Sequence, residues 1–214
     1  MKQKIGIFLC FGLLTFGIQA QNFGGGFILG ISSSQVGGDN LAGFNKAGLL
    51  LGVFANKSIT QVFTFQMEMT YIQKGSNNPN MNDPEHIDYA KPDISTSYIE
   101  VPLLLQYHQS EKLKLEGGVL SAYLIDGYYN DSNGKIPLLK NQLNPFISSD
   151  FGLLLGSNYK FSNRLSINAR LSNSIRPIGT EDYQNKGSAN SYSSNLSRKG
   201  KYNSVLSFTL HYNL

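Results

Sequence analysis

Few side chains in this sequence could carry out acid–base or nucleophilic chemistry. There are three histidines, His86, His108 and His211, and one cysteine, Cys10. Hydrolases and acyltransferases place a histidine against a serine, an aspartate or a glutamate. His86 stands in an acidic run, residues 83–88, but polar loops produce such spacings by chance. We therefore expect the protein not to be an enzyme, and a hydrolase or acyltransferase centred on His86 is the least favoured alternative.

Binding motifs for metals and cofactors are also missing from the sequence. It contains no zinc-ligand pattern, no phosphate-binding glycine loop and no dinucleotide fingerprint. The acidic run around His86 lacks the Asp-x-Asp-x-Asp-Gly spacing of a calcium loop. The sequence thus predicts no catalytic residues, no metal and no cofactor.

The first 20 residues have the pattern of a cleaved export signal. Lys2 and Lys4 precede an apolar stretch, residues 5–18, which ends in small residues at the spacing that a signal peptidase reads. About 14 apolar residues are too few for a membrane-spanning helix, which needs ~20. We predict a signal peptide over residues 1–20 and a single domain over residues 21–214.

Composition narrows the class of the mature chain. Removing Lys2 and Lys4 from the 18 basic residues leaves 16 against 14 acidic residues, a balance too even to favour nucleic acid as a partner. Without Cys10 the mature protein has no thiol, and therefore no disulfide. The chain has 22 glycines, 12 tyrosines and 13 phenylalanines but only 15% charged residues, which is typical of a β protein with aromatic girdles.

Apolar residues occupy every second position in much of the chain. In residues 63–71 the odd positions are apolar and the even positions are polar. Successive side chains of a strand point to opposite faces, so this alternation predicts strands with one apolar face. The same pattern, clear in the first three ranges and looser in the others, recurs in residues 99–108, 165–172, 206–214, 23–33, 49–55, 113–125 and 151–161. The sequence therefore predicts eight strands.

The connections between these strands alternate in length. The expected short turns are residues 56–60, 109–112 and 162–163, and the long polar connections are about 34–46, 76–96, 127–145 and 177–201. Outer-membrane barrels have short periplasmic turns and long external loops. We predict an all-β fold, an eight-stranded antiparallel up-and-down transmembrane β-barrel in the bacterial outer membrane, in contact with its lipid. A soluble β-sandwich is the alternative, since one buried face gives the same period.

Aromatic side chains are expected near both ends of the strands, where they would form two girdles at the membrane interfaces. The predicted periplasmic girdle consists of Phe63, Tyr107, Tyr159, Phe161 and Tyr212, and the external one of Tyr71, Tyr123 and Tyr202.

The polar positions predict the barrel interior. Eight strands enclose a lumen just wide enough for side chains. We expect charges of both signs to fill it with salt bridges, as structural rather than ligand-binding groups: Glu68, Glu100, Glu116, Asp150, Lys74, Lys114, Lys160, Arg170 and Arg176. Pro102 is unexpected within a strand because it cannot donate to the ladder, and we predict a bulge near the external rim of the fourth strand.

Several short segments resemble a known family. They are residues 65–68 (Phe-Gln-Met-Glu), 71–75 (Tyr-Ile-Gln-Lys-Gly), 98–105 (Tyr-Ile-Glu-Val-Pro-Leu-Leu-Leu), 116–118 (Glu-Gly-Gly), 123–124 (Tyr-Leu) and 150–153 (Asp-Phe-Gly-Leu). In them the chain resembles the PorT-like outer-membrane β-barrels of Gram-negative bacteria that export proteins by the type IX route. The resemblance implies the fold and the membrane. It implies function poorly, because the family is named for one member needed for protease secretion.

Three functional hypotheses follow. The first is a non-enzymatic barrel that binds or assembles with a partner through its external loops or rims, with envelope or secretion proteins as candidate partners. The second is a small passive channel or a carrier for a hydrophobic compound. The third is the membrane hydrolase or acyltransferase considered above.

Overall fold

The computed structural model describes residues 23–37, 43–77, 93–131, 134–137, 146–179 and 201–214. The predicted signal peptide lies outside these residues, as do His86 and its acidic neighbours. Among the residues described there is no helix long and apolar enough to cross a membrane.

The described residues form nine antiparallel strands. Their bounds are β1 Phe23–Gly37, β2 Lys46–Ser58, β3 Phe63–Ser76, β4 Asp93–His108, β5 Leu113–Asp131, β6 Gly134–Pro137, β7 Ser149–Lys160, β8 Leu165–Ser174 and β9 Tyr202–Asn213. Each long strand pairs with the next, and β1 also pairs with β9, so eight strands close into a barrel. The short strand β6 pairs only with the end of β5, outside this circle. The predicted eight-stranded antiparallel barrel is confirmed.

The alternating apolar and polar residues of the sequence lie on the outer and the inner face of the barrel wall. In β3 the odd residues Phe63, Phe65, Met67 and Met69 are exposed outward, whereas the even residues Thr64, Gln66, Glu68 and Thr70 are buried in the lumen. In β9 the even residues point outward and the odd residues inward. Because every second side chain must face lipid, the period of two is imposed on all eight strands.

Three tight turns lie at one end of the barrel, which we call the turn end. They cover residues 59–62, 109–112 and 161–164. The first turn was predicted at residues 56–60, which is wrong by about three residues, because Lys57 and Ser58 still pair with Phe65 and Thr64. The opposite end carries the long connections, and we call it the loop end.

At the loop end the strands run further than the sequence predicted. β1 continues to Gly37, β4 begins at Asp93 and β5 reaches Asp131, all within segments expected to be loops. A transmembrane strand needs only ~9–11 residues to cross the hydrocarbon core, and β5 has 19. Beyond the core the outer face need not be apolar, so the ladder continues where the alternation fades.

Pro102 lies inside β4 without a bulge of its own. It faces the lumen and pairs with Leu120 of β5 in an uninterrupted register. On the other side, the ladder to β3 has no bridge opposite Pro102, although the register before and after it is the same. The missing N–H therefore leaves a local gap in the ladder. The prediction that a bulge accommodates Pro102 is wrong, because the one register shift between β4 and β5 lies at Ser97/Tyr98, nearer the loop end.

Candidate functional site

An arginine crosses the middle of the lumen. Arg170 of β8 donates from Nη1 and Nη2 to the two carboxylate oxygens of Glu68 at 2.8 and 2.9 Å. Its Nε and Nη2 each lie 2.8 Å from Oε1 of Glu116 on β5. In the circle of eight strands β8 and β3 are opposite each other. The contact between the side chains of Arg170 and Glu68 therefore bridges the barrel across its diameter. We call Arg170, Glu68 and Glu116 the Arg170 cluster.

Amide side chains complete the hydrogen bonds of this cluster. Gln66 donates to Glu68 at 2.7 Å, and Asn168 donates to Glu116 at 2.8 Å. Gln106 donates to both Gln66 and Glu116 at 3.2 Å. A fork-shaped guanidinium held by two carboxylates and surrounded by amides is a rigid arrangement, because charge-assisted bidentate contacts fix both distance and plane.

A second group of charges lies nearer the loop end. The Lys74 ammonium forms an ion pair with Glu100 and lies 3.8 Å from Asp150. It also stands 5.0 Å above the centre of the Tyr98 ring. Asn203 donates to Asp150 at 2.9 Å, which ties β9 to the group. We call Lys74, Glu100 and Asp150 the Lys74 cluster.

Apolar side chains fill the lumen around and between the two clusters. Ile28, Leu50, Ile72, Leu104 and Leu120 are all buried on the inner face. Each cluster contains one cation and two carboxylates, all nearly inaccessible to solvent. Charges held this deeply are tolerated only when they are paired. In the part of the chain that the structure describes, the two clusters and these apolar side chains therefore pack the lumen between the strands.

Two lysines that were expected in the plug lie at the mouth of the lumen. Lys114 and Lys160 are half-buried at the turn end. Within the described ranges, neither ammonium is among the ion pairs, which belong to Lys46, Lys74 and Arg170. The expectation that these two lysines take part in lumen salt bridges stays a prediction. The strand ends that carry Lys114 and Lys160 surround the open mouth of the barrel, where water can solvate the two ammonium groups.

This mouth contains a cavity of about 300 Å³, which we call the vestibule. Its walls are made by polar side chains of several strands, and Glu111 and Asn163 from two turns stand at its rim. Gln66 and Gln106 line it from inside, so the vestibule ends at the Arg170 cluster.

Arg176 is also placed differently from the prediction. It lies two residues beyond the end of β8, is exposed, and stands 5.8 Å from the centre of the Phe151 ring. Phe151 faces outward, so Arg176 is outside the lumen. Alternate residues face alternate sides of the barrel wall only within a strand, and β8 ends before Arg176.

The two described histidines make hydrogen bonds to threonines. His108 lies 2.8 Å from the Thr64 hydroxyl, and His211 lies 3.0 Å from that of Thr209. His211 also packs against the Phe54 ring with 5.4 Å between centroids. Across the described part of the chain, no group of three or more His, Cys, Asp or Glu residues is arranged to hold a metal ion.

The outer wall is apolar through its middle and aromatic near its ends. Exposed apolar side chains include Phe27, Leu29, Ile31, Val53, Met67, Met69, Val119, Leu153, Leu155 and Phe208. At the turn end, Phe63 contacts Tyr107 and Tyr159 contacts Phe161, at 5.5 and 5.2 Å between centroids. Tyr212 is exposed near the same end. Toward the loop end, Tyr123 is exposed, Tyr71 and Tyr202 are half-buried, and the Tyr71 hydroxyl lies 3.1 Å from that of Ser97.

A family model described as "Outer membrane protein beta-barrel domain" matches residues 19–179. The chain belongs to this family. It is therefore a protein of the bacterial outer membrane, and its exposed apolar wall contacts membrane lipid. The PorT-like subgroup is a finer assignment than this family match.

Solved structures of the same fold agree with the family. Ail, the attachment invasion locus protein of Yersinia pestis, is 10% identical to the chain with a TM-score of 0.52, over 89% of this chain and 98% of Ail. A second Ail structure, in complex with the heparin analogue sucrose octasulfate, is 9% identical with a TM-score of 0.51, over 90% and 99%. At this identity the likeness shows the fold alone. No curated protein matches the chain in sequence.

Sequence reasoning missed the uncharged residues of the lumen. Gln106, Asn168 and Asn203 bridge the charged groups, yet none of the three was predicted to belong to the plug. They occupy the same inward positions as the charges. Listing every polar residue on the inward face, whatever its charge, would have found them.

Proposed function

We propose that this protein is a non-enzymatic, non-conducting outer-membrane barrel that binds or assembles with a partner through its external loops or rims. The observation that carries the proposal is the Arg170 cluster. A guanidinium held by contacts of 2.8–2.9 Å to carboxylates of other strands occupies the middle of the lumen, which supports a barrel that does not conduct. Surfaces outside the lumen are then the places where the protein can act.

The loop end carries the longest connections of the chain. Long polar segments join β3 to β4, from Ser76 to Asp93, and β8 to β9, from Ser174 to Tyr202. Binding residues are often carried on loops held by a rigid scaffold, because loops tolerate sequence change without loss of the fold. A plugged barrel closed by hydrogen bonds on every strand is a rigid scaffold of this kind.

The proposed partner is a protein of the cell envelope, and a secretion apparatus is one such assembly. The resemblance to the PorT-like barrels supports this class. The predicted signal peptide at residues 1–20 fits delivery to the envelope.

The arrangement of the histidines supports the non-enzymatic part of the proposal. A catalytic histidine needs a nucleophile on one ring nitrogen and an orienting carboxylate on the other. His108 and His211 each have a threonine as the hydrogen-bond partner, and His211 is packed against Phe54 inside the lumen. Within the described ranges, neither ring forms a hydrogen bond with a carboxylate.

Site-specific photo-crosslinking in intact cells tests the partner. A photoreactive residue replaces Asp126, which is exposed near the loop end. The matched control replaces Leu155, which is 70% exposed in the middle of the lipid-facing wall. We expect a discrete protein adduct from position 126 and none from position 155. The absence of an adduct at position 126 and at further loop positions, or the same adducts at both positions, contradicts the proposal.

Planar-bilayer recording tests the plug. The purified barrel should conduct almost no current, since barrels with an aqueous channel have about twice as many strands. Large, steady single-channel openings would show that the lumen conducts, and the passive channel would then replace the binding barrel as the proposed function.

A further inference from the structure

We propose that the vestibule at the turn end is a binding site for a small anion carrying a carboxylate or a phosphate. The vestibule is a defined cavity, and the two lysines on its wall are not used by the lumen plug. The inference is independent of any partner at the loop end.

Two ammonium groups come together on the vestibule wall. Lys114 near the start of β5 pairs in register with Asn158 of β7, and Lys160 follows two positions later on the same face. Like charges on adjacent strands repel each other when both point into one cavity. Among the described residues, the Lys114 ammonium donates to the side-chain oxygen of Gln106 alone, at 3.5 Å. An anion between the two lysines would relieve this repulsion.

One carboxylate, Glu111, stands at the rim of the vestibule, in the turn before β5. The Glu116 carboxylate, deeper in the lumen, cannot take the place of a bound anion. Glu116, two residues beyond Lys114 on the inner face, already accepts hydrogen bonds from Arg170, Asn168 and Gln106. It is 4% exposed and fixed in the Arg170 cluster. Lys114 and Lys160 therefore point into the open vestibule, whereas the hydrogen bonds of Glu116 are already satisfied deeper in the lumen.

The remaining wall suits an anion that also carries hydrogen-bonding groups. Asn56, Asn158 and Ser166 offer amides and a hydroxyl, and Phe54 and His211 form an aromatic patch. A cavity of about 300 Å³ is at the lower end of the range found for small-molecule sites. This lining suits a molecule about the size of a small organic acid or a sugar phosphate, and it would also admit a lipid phosphate reaching around the rim.

Calorimetric titration of the full-length barrel in an uncharged detergent tests the site, with inorganic phosphate and citrate as probes. We expect saturable binding that weakens as sodium chloride is raised, because salt screens the attraction. Lys114→Gln and Lys160→Gln should each weaken binding roughly tenfold, the usual effect of removing a hydrogen bond to a charged group. Lys112→Gln is the matched control, since Lys112 is exposed in the neighbouring turn and does not line the vestibule.

A second arm identifies the source of the anion. The same titration is repeated in nanodiscs of neutral lipid and in nanodiscs containing phosphatidylglycerol. Loss of phosphate binding only in the anionic discs indicates that lipid headgroups occupy the vestibule, and equal binding in both indicates a soluble anion. The proposal is overturned if neither probe binds, or if both lysine variants bind as well as Lys112→Gln while all remain folded by heat-modifiability on a gel.

Discussion

Replacing Arg170 with glutamine should destabilise the barrel more than any single replacement of its partners. The change removes the only cation of the Arg170 cluster and leaves Glu68 and Glu116, both buried and on strands separated only by β4, without a counter-charge. Breaking a buried ion pair from one side costs about 3–5 kcal/mol of unfolding free energy. We expect a loss of that size for Arg170→Gln.

Glu68→Gln should cost less, about 1–2 kcal/mol. It removes two charge-assisted hydrogen bonds, but Arg170 keeps Glu116 as a counter-ion at 2.8 Å. It also removes the excess negative charge of the cluster, which offsets part of the loss. The double variant should then fall short of the sum of the single losses by about 1–3 kcal/mol, as expected for residues in direct contact.

The measurement is urea unfolding of the protein refolded into lipid vesicles, with the folded fraction read from the gel shift between unboiled and boiled samples. Arg176→Gln is the matched control, because Arg176 is exposed outside the lumen and should change stability by less than about 0.5 kcal/mol. The reasoning is refuted if Arg170→Gln costs no more than this control, or if the losses of the Arg170 and Glu68 variants simply add.

Three further predictions concern export, closure and packing. N-terminal sequencing of outer-membrane material should begin at Gln21, and a retained Met1 would contradict the predicted signal peptide. The purified protein should run differently on a gel before and after boiling, because a closed sheet has no free edge where detergent can begin to unfold it; identical migration would argue against closure. Gly52→Ala should lower the free energy of unfolding by about 1–3 kcal/mol, since its new Cβ would lie 2.6 Å from the Met69 carbonyl oxygen. Gly37→Ala is the control and should be nearly neutral, because its Cβ would lie 3.7 Å from the nearest backbone oxygen. Equal losses of the two variants in urea unfolding would contradict this prediction.

The number of strands in the barrel, and the face of the residues inside them, could be predicted from the sequence because both depend on neighbouring residues. Lipid on one side and a narrow lumen on the other impose a period of two, which residues 63–71 show clearly. The ends of the strands were less predictable. Beyond the membrane the hydrogen-bond ladder of β1 and β5 continues through polar residues, and no alternation marks its limit.

The pairing of charges across the lumen could not be predicted in full. Inward positions identified Glu68 and Arg170, but the partner of each charge depends on how far each strand is shifted along the barrel axis. That shift is a property of the closed sheet and not of any one segment. For this reason the sequence did not distinguish Arg170, which meets two carboxylates, from Lys114 and Lys160, which lie at the mouth.

The Arg170 cluster has a consequence for the order of assembly. Glu68 and Arg170 are 102 residues apart in the chain and on opposite walls, so the strand that neutralises Glu68 is made long after it. Until β8 arrives, Glu68 and Glu116 have no arginine, and a carboxylate without a counter-ion is costly inside a bilayer. Strands β3 to β5 therefore gain little by entering the membrane early, and insertion should coincide with closure. A chain interrupted before β8 would carry its acidic lumen side chains without a counter-charge, and such a chain should remain outside the bilayer, exposed to proteolysis.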